Sequence, residues 1–332
     1  MRLILHIGMG KTGSSSIQSA LNNATEQLAA QRARYLGMWF DMIDPGFRGV
    51  ANQPKFFRQS PEELREAGAR FAEVVRQQAA ETGTETFILS NEAISGAAGA
   101  MEPFIDVLRE TMEVQAIGYV RRPESWLPSA YVQWGIRDKT DTGPVPSYGT
   151  KARTLVNWYN GLLDWAERMP ELLEVRSYDA AEDVVQDFAA ACGLALDSPP
   201  KRALERGDDT EIVLRALFNA RFEETVLPQV FERMVLRGTR GPTDLETAVR
   251  RYLDYSETGE IVAENRALFE RYNSAFGLDL VDTDAAPPPP PDPETLRRRM
   301  LDHVVELTLE QSRRISRLEQ RLRKIETTLA DD

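Results

Sequence analysis

Cysteine is nearly missing from this chain: Cys192 stands alone among 332 residues. One thiol excludes an intrachain disulfide framework and any multi-cysteine metal site. It falls in the apolar helical pattern Val184–Cys192, where burial suppresses the thiolate, so an inert core thiol is expected. Histidine is almost as scarce, with His6 and His303, and no metal-ligand spacing occurs. Long apolar runs are lacking too. The N-terminal run Leu3–Ile7 is too short for a signal peptide's apolar region and no small-residue cleavage site follows it. No stretch reaches the length of a membrane span, so the expected address is the cytoplasm. Positive charge is in deficit: 40 Lys and Arg face 52 Asp and Glu, a net −12. That argues against nucleic acid or an anionic membrane surface as the main partner. A small anionic ligand stays open, because screening beyond about 8 Å lets a few local cations outweigh distant acids.

What is present reads as an α/β protein. Hydrophobic residues make up 42% of the chain, ordinary for a globular fold, and the length suffices for a large core plus an accessory segment. Short apolar runs at Arg2–Ile7, Glu85–Ser90, Val114–Val120 and Leu172–Tyr178 alternate with helical spacing at Ser14–Gln31, Pro61–Ala80 and around Cys192. This pattern predicts a central, mostly parallel sheet over residues 1–205, each strand ending at a polar or glycine cluster where such sheets place ligands. Residues 206–284 have helical spacing and are expected to form an extension packed on the core. A proline-rich linker, 285–293, follows, stiff and unable to enter a helix or sheet. In 294–330, Leu301, Val304, Ile315, Leu318, Leu322, Ile325 and Leu329 fit an a/d heptad frame, with Thr308 and Gln311 filling its middle. A coiled coil that makes the protein a homo-oligomer is expected, against the plainer alternative of a solitary helix.

Two strand-to-helix corners carry the chemistry. The first is Ile7-Gly8-Met9-Gly10-Lys11-Thr12-Gly13-Ser14-Ser15-Ser16-Ile17. Glycines let the backbone approach an anion, and the first amides of a helix lack internal acceptors. Lys11 adds a point charge, and Thr12, Ser14, Ser15 and Ser16 add hydroxyls. A helix terminus contributes about 0.3–2 kcal/mol towards an anion, so these groups must act together. Gly10-Lys11-Thr12 ends like a Walker A loop, but that motif needs a glycine five residues earlier, where Leu5 stands. The second corner is Tyr119-Val120-Arg121-Arg122-Pro123-Glu124-Ser125-Trp126-Leu127-Pro128-Ser129. Pro123 suits a first helical turn, and Arg121 with Ser129 makes a plausible phosphate clamp. The plainer readings are a helix cap with a solvated lysine, and strand-end arginines paired with surface carboxylates.

Together the two corners resemble the sulfotransferases that use 3′-phosphoadenosine 5′-phosphosulfate (PAPS). The run Lys11–Ser16 looks like that family's 5′-phosphosulfate loop, and the Arg121-to-Ser129 spacing like its 3′-phosphate motif. Arg122-Pro123 with Trp126 and Ser129, and Val175–Asp179 leading to a helix that ends Cys192-Gly193, are similar to the bacterial-type carbohydrate branch. The resemblance spans roughly residues 1–220 and implies a P-loop-like three-layer fold. It further implies that Gly10, Lys11, Thr12, Gly13, Ser14, Ser15 and Ser16 hold the 5′ end of PAPS and that Arg121 and Ser129 hold the 3′-phosphate. Lys11 would also be catalytic, at the bridging oxygen, with 3′,5′-adenosine bisphosphate as product and no metal required. The acceptor would be a hydroxyl or amine, of a carbohydrate or glycoconjugate. Two departures stand out: Leu204–Asp208 lacks the Asn/Ser turn common in the family, and no carboxylate corresponds after Tyr35-Leu36-Gly37.

Glu92, in Ser90-Asn91-Glu92 at a strand end, is the candidate general base, with Asp41 in reserve; the alternative for Glu92 is a cap or an ion-pair partner. His6 is expected to be a core histidine and His303 a surface one. Trp39, Phe40, Phe47, Phe56 and Phe57 fit core packing better than a sugar platform, and Arg137 and Lys139 fit a solvated loop better than a site for an anionic acceptor. Two other function classes compete. A P-loop-like small-molecule kinase would require Mg²⁺ and ATP, and a non-catalytic oligomeric scaffold would bind no PAPS.

Overall fold

The computed structural model describes residues 1–197, 209–228, 230–231, 245–280 and 288–331. Five strands, β1 (Arg2–Gly8), β2 (Ala33–Tyr35), β3 (Thr86–Ser90), β4 (Glu113–Val120) and β5 (Leu173–Ser177), form one sheet in the order β2-β3-β1-β4-β5. Every pairing is parallel. β1 is central because both of its faces are apolar: Leu3, Ile4, Leu5 and Ile7 are fully buried. Parallel pairing puts the C-terminal ends of all five strands on one edge. The chain leaves β1 for β2 and β3 on one side and later for β4 and β5 on the other, so the ligand crevice of an open α/β sheet belongs at the end of β1.

Helices cover both faces. α1 (Ser14–Asn23) and α9 (Val184–Cys192) pack on one, where Ile17, Leu21, Val185 and Phe188 meet Ile4, Ile88, Ile117 and Tyr119. On the other, α4 (Pro61–Thr82) packs against α5 (Ala98–Arg109), and α5 against β4. The start of α4 is written locally. Ser60 Oγ accepts from Glu63 N–H while the Glu63 carboxylate accepts from Ser60 N–H, and Pro61 opens the first turn. Gly68 is required where α4 crosses α5, since a Cβ there would lie 2.7 Å from the Phe104 carbonyl oxygen.

The expected Ser14–Gln31 helix is divided, with α1 ending at Asn23 and α2 (Thr25–Ala30) restarting after Ala24. β2 carries no alternating run in its three residues and is defined by pairing to β3 alone. Between α5 and β5 lie α6 (Pro123–Tyr131), a π-helical turn at Val132–Arg137, α7 (Tyr148–Leu155) and α8 (Asn160–Arg168). α3 (Gln53–Phe57) is a short helix before α4.

The chain groups into two compact units. One comprises Met1–Ala130, Ala152–Leu204 and Thr258–Ala286, and contains the sheet. It also takes α12 (Thr258–Glu264) and α13 (Arg266–Phe276), where Phe269 and Tyr272 pack on Tyr159, so the expected extension 206–284 is divided between the units. The other comprises Tyr131–Lys151, Glu205–Glu257 and Pro287–Asp332. In it α10 (Asp209–Asn219) packs on the π-helical turn, on α11 (Leu245–Tyr252) and on α14 (Pro293–Asp331). The expected linker 285–293 falls partly outside the described residues. Pro288–Asp292 is irregular, as its prolines require, and Pro293 opens α14 rather than ending the linker. Leu204–Asp208 lies outside the described residues.

Candidate active site at the ends of the central strands

The corner after β1 is held by left-handed backbone at three positions, Gly8 (φ 84°), Lys11 (φ 66°) and Gly13 (φ 85°). Two of these need glycine for space as well as conformation. A Cβ at Gly8 would lie 3.0 Å from Cα and Cβ of Glu92, and one at Gly13 would lie 2.7 Å from Val184 Cγ1 and 3.1 Å from the Tyr178 ring. Lys11 adopts the left-handed region with a side chain, which is unfavourable unless its surroundings enforce it. Several bonds do so. Thr12 Oγ1 donates to the Met9 carbonyl at 2.5 Å and Ser14 Oγ to the same carbonyl at 3.3 Å. Met9 N–H donates to Tyr119 O at 2.8 Å, tying the loop to β4. The first helical bonds of α1 run from Ser16 N–H and Ile17 N–H to Gly13 O, so the amides of Ser14 and Ser15 precede any helical acceptor.

The corner after β4 reaches over the first. Trp126, fully buried on α6, donates its indole N–H to the Gly10 carbonyl at 2.8 Å. Arg121 donates from Nε to Ser125 Oγ at 2.9 Å and from Nη1 to the Lys11 carbonyl at 3.5 Å, with its guanidinium 5.3 Å from the centre of the Tyr178 ring. Its backbone is pinned as well, because Tyr159 O–H donates to the Arg121 carbonyl at 2.5 Å. Next to it, Arg122 N–H donates to Asp179 Oδ2 at 2.7 Å. Tyr178 and Asp179 follow β5, so the ends of β1, β4 and β5 converge on one place.

The corner after β3 brings Glu92. Asn91 caps the short 3₁₀ turn Glu92–Gly96 by accepting from Ala93 N–H at 3.0 Å, and anchors it by donating to the Met38 carbonyl at 2.8 Å. Glu92 is therefore carried by the capped turn instead of capping it, half-buried against Gly8. Its charge also reaches Tyr35, whose phenol burial pushes up to about 12, with the Glu92 carboxylate adding to the rise.

Beneath the site lies a neutral buried histidine. His6 is fully buried, its Nδ1 is 2.7 Å from Ser90 Oγ, and burial pushes its pKa down to about 3. Gln18 of α1 donates to the Ser90 carbonyl and hydroxyl at 3.3 and 3.2 Å, completing a polar tie across β1, β3 and α1. His6 is a core residue and takes no part at the surface of the site.

Of the candidate residues, Gly10, Lys11, Thr12, Gly13, Ser14, Ser15 and Ser16 form one corner, and Arg121 stands beside it at the Lys11 carbonyl. Thr12 and Ser14 are buried, with hydroxyls turned in to shape the loop, whereas Ser15 is exposed. Ser129 is half-buried on α6 and Arg121 bonds Ser125, one turn earlier. Asp41 is ion-paired with Arg48 at 3.3 Å. Phe40 and Phe56 stack at 3.8 Å, both buried, with Phe104 edge-on to each: they are core. Lys139 overturns the expectation of a solvated loop. It is 1% exposed, and its ammonium donates to the Phe222 and Glu224 carbonyls at 2.7 and 2.6 Å. The residues that sequence reasoning does not assign are Trp126, Ser125, Tyr159 and Tyr178, which hold the corners in place. Trp126 sits inside the run Arg122–Ser129, but nothing in its spacing names the Gly10 carbonyl as its acceptor.

No protein-family profile matches the chain, and no curated protein does. Among solved structures, a sulfotransferase domain from the Synechococcus PCC 7002 olefin synthase aligns over 80% of this chain and 94% of its own, at 14% identity and a TM-score of 0.32. A sulfotransferase domain from the curacin biosynthetic pathway aligns over 80% and 97%, at 12% identity and a TM-score of 0.33. At scores this low the overlays decide nothing about chemistry, which rests on the side chains themselves. Among the described residues no group of His, Cys, Asp and Glu could hold a metal ion, and no helix is long and apolar enough to cross a membrane.

Proposed function

We propose that this protein is a sulfotransferase that moves a sulfuryl group from PAPS to an acceptor hydroxyl or amine, with a carbohydrate or glycoconjugate as the acceptor class. The observation that carries the reading is the meeting of the two corners. Arg121 Nη1 lies 3.5 Å from the Lys11 carbonyl, and the Trp126 indole holds Gly10 at 2.8 Å. A guanidinium beside a helix-start loop offers donors to anionic groups from two directions, which supports a nucleoside carrying phosphate at two positions as the ligand.

In this reading the amides opening α1, with Ser15, Ser16 and the Gly10–Gly13 backbone, bind the 5′ end of the donor. Thr12 and Ser14 act one step back, fixing the loop through the Met9 carbonyl. Arg121 and Ser129 bind the 3′-phosphate. Glu92 accepts the proton of the acceptor as its oxygen or nitrogen attacks sulfur in line and the sulfur–oxygen bond to the nucleotide breaks. Lys11 stabilises the charge that gathers on that departing oxygen. Positioning and electrostatics supply the acceleration, since sulfuryl transfer asks for little else from the protein.

Calorimetry tests the two-site clamp. The protein is expected to bind 3′,5′-adenosine bisphosphate in clear preference to 5′-AMP, and Arg121→Ala to abolish that preference. Equal affinity of the unaltered protein for both nucleotides would refute the reading.

A further inference from the structure

From the exposed face of α14 we infer that two copies of this chain join through a parallel, in-register coiled coil. The helix runs 39 residues, about 58 Å at 1.5 Å per residue. Its first turns belong to the fold of the second unit, with Leu296 only 2% exposed and α10 and α11 packed beside it. Beyond that point its large apolar side chains face solvent: Leu301 is 64% exposed, Val304 49%, Ile315 56% and Leu318 58%. These four occupy successive a and d positions of one heptad frame, with Thr308 and Gln311 between them. The Thr308 hydroxyl donates to the Val304 carbonyl of its own helix at 2.7 Å, so it enters a seam with its hydrogen bond already made.

Charge selects the occupant and its direction. In the same frame Arg314 and Arg321 fall at g, and Glu319 and Glu326 at e. A parallel pair brings each g residue beside the e residue five positions on in the partner copy, which matches Arg314 with Glu319 and Arg321 with Glu326. An antiparallel pair sets g against g and e against e, opposing arginine to arginine and glutamate to glutamate. A second copy aligned in parallel therefore satisfies the apolar seam and its flanking charges at once. Ile315 at a followed by Leu318 at d, the layer flanked by Arg314 and Glu319, favours two strands, whereas the layer of Leu301 at a and Val304 at d has the opposite branching.

The test uses the full chain. Sedimentation equilibrium at micromolar concentration is expected to give a dimer, and Ile315→Lys with Leu318→Lys a monomer with an unchanged melting transition for the sheet-bearing unit. Arg314→Glu with Arg321→Glu is expected to weaken association at least tenfold, and adding Glu319→Arg with Glu326→Arg to the same chain to restore it. Val304→Cys and Leu318→Cys, made separately, should each oxidise to a cross-linked dimer, because parallel register places both d positions opposite themselves. A monomer at every concentration would overturn the proposal. So would cross-linking at one of these positions alone, since an antiparallel pair can meet itself at a single level.

Discussion

The corner at the end of β1 and the outer stretch of α14 are built on opposite terms. At the corner the polar groups that shape the loop already have partners inside the chain: Thr12 and Ser14 on Met9 O, Trp126 on Gly10 O, Arg121 on Ser125 and Lys11 O. On α14 the apolar groups lack cover, with Leu301, Val304, Ile315 and Leu318 all about half exposed or more. A loop over-determined by its own bonds can keep Lys11 in left-handed backbone and stay ready for a ligand without rearrangement. A helix with an uncovered seam contributes little to folding, and under the proposed pairing it gains its stability from association. The difference separates residues whose change should disturb chemistry from residues whose change should disturb assembly.

The largest expected effect breaks the comparison at its polar end. Under the proposed reading, Lys11→Ala removes the charge at the departing oxygen and should lower turnover about 10²–10³-fold, the scale seen when one electrostatic donor is removed. The backbone at this position should be no more strained, since the left-handed φ of Lys11 is no easier for a retained lysine than for alanine. Steady-state rates alongside thermal melting check this. Turnover within about twofold of the unaltered protein would move the role away from Lys11.

Next in size is a pH effect from below the corner. His6 has a folded-state pKa of about 3, against 6.5 in the unfolded chain, because burial disfavours its charged form. Above pH 6.5 both states are neutral there and stability is complete. As pH falls from 6.5 towards 3 the unfolded chain takes up a proton that the folded chain refuses. The protein should therefore lose up to about 1.4 kcal/mol per pH unit, and nothing further from this group below about pH 3. Asp187, held low chiefly by its bonds to Arg176, adds a loss that begins only as pH nears the carboxylate range. Denaturant titrations at pH 7 and pH 5 separate the two, and His6→Gln should flatten the slope between them. An equal slope in both proteins would show that His6 is not the cause.

Much of this arrangement was legible in the sequence. The four longer strands stand within a residue or two of their predicted bounds; β1, β3 and the end of β4 are buried and apolar on both faces, while β5 is a half-buried edge strand in which Leu173 and Val175 alternate with Glu174 and Arg176. Gly8 and Gly13 announced a loop that approaches its neighbours closely, and the structure puts Glu92, Val184 and Tyr178 against them. Other features depend on partners far along the chain and left no local mark. β2 is three residues long and exists by pairing with β3. Lys139 reads as a loop cation, yet the carbonyls of Phe222 and Glu224, more than eighty residues later, enclose it. The break after Asn23 comes at Ala24, which propensity would keep helical. Trp126 and Tyr159 are hidden for the same reason: each spends its polar atom on a backbone carbonyl, and no spacing rule reports which one.

A smaller effect sharpens the polar side. Trp126→Phe keeps a ring in the buried site but leaves the Gly10 carbonyl without its indole donor, at a cost of about 1–3 kcal/mol. Melting should fall accordingly, and binding of 3′,5′-adenosine bisphosphate should weaken because the loop that Trp126 steadies is looser. Binding that holds steady while melting falls would mark Trp126 as a core residue with no bearing on the loop.

The smallest effect belongs to α14 and is informative because it is small. Leu309 is 57% exposed and lies at a b position, outside the a/d seam. Leu309→Ser should shift stability by no more than about 0.5 kcal/mol and leave the oligomeric state unchanged, as expected for a side chain that neither the fold nor the seam buries. Thermal melting and sedimentation equilibrium on the same sample measure both quantities. A marked loss of association on this change would mean that the covered face of α14 is not the one defined by Leu301, Val304, Ile315 and Leu318. The contrast with the β1 corner would then stand, with a different stripe of the helix on its apolar side.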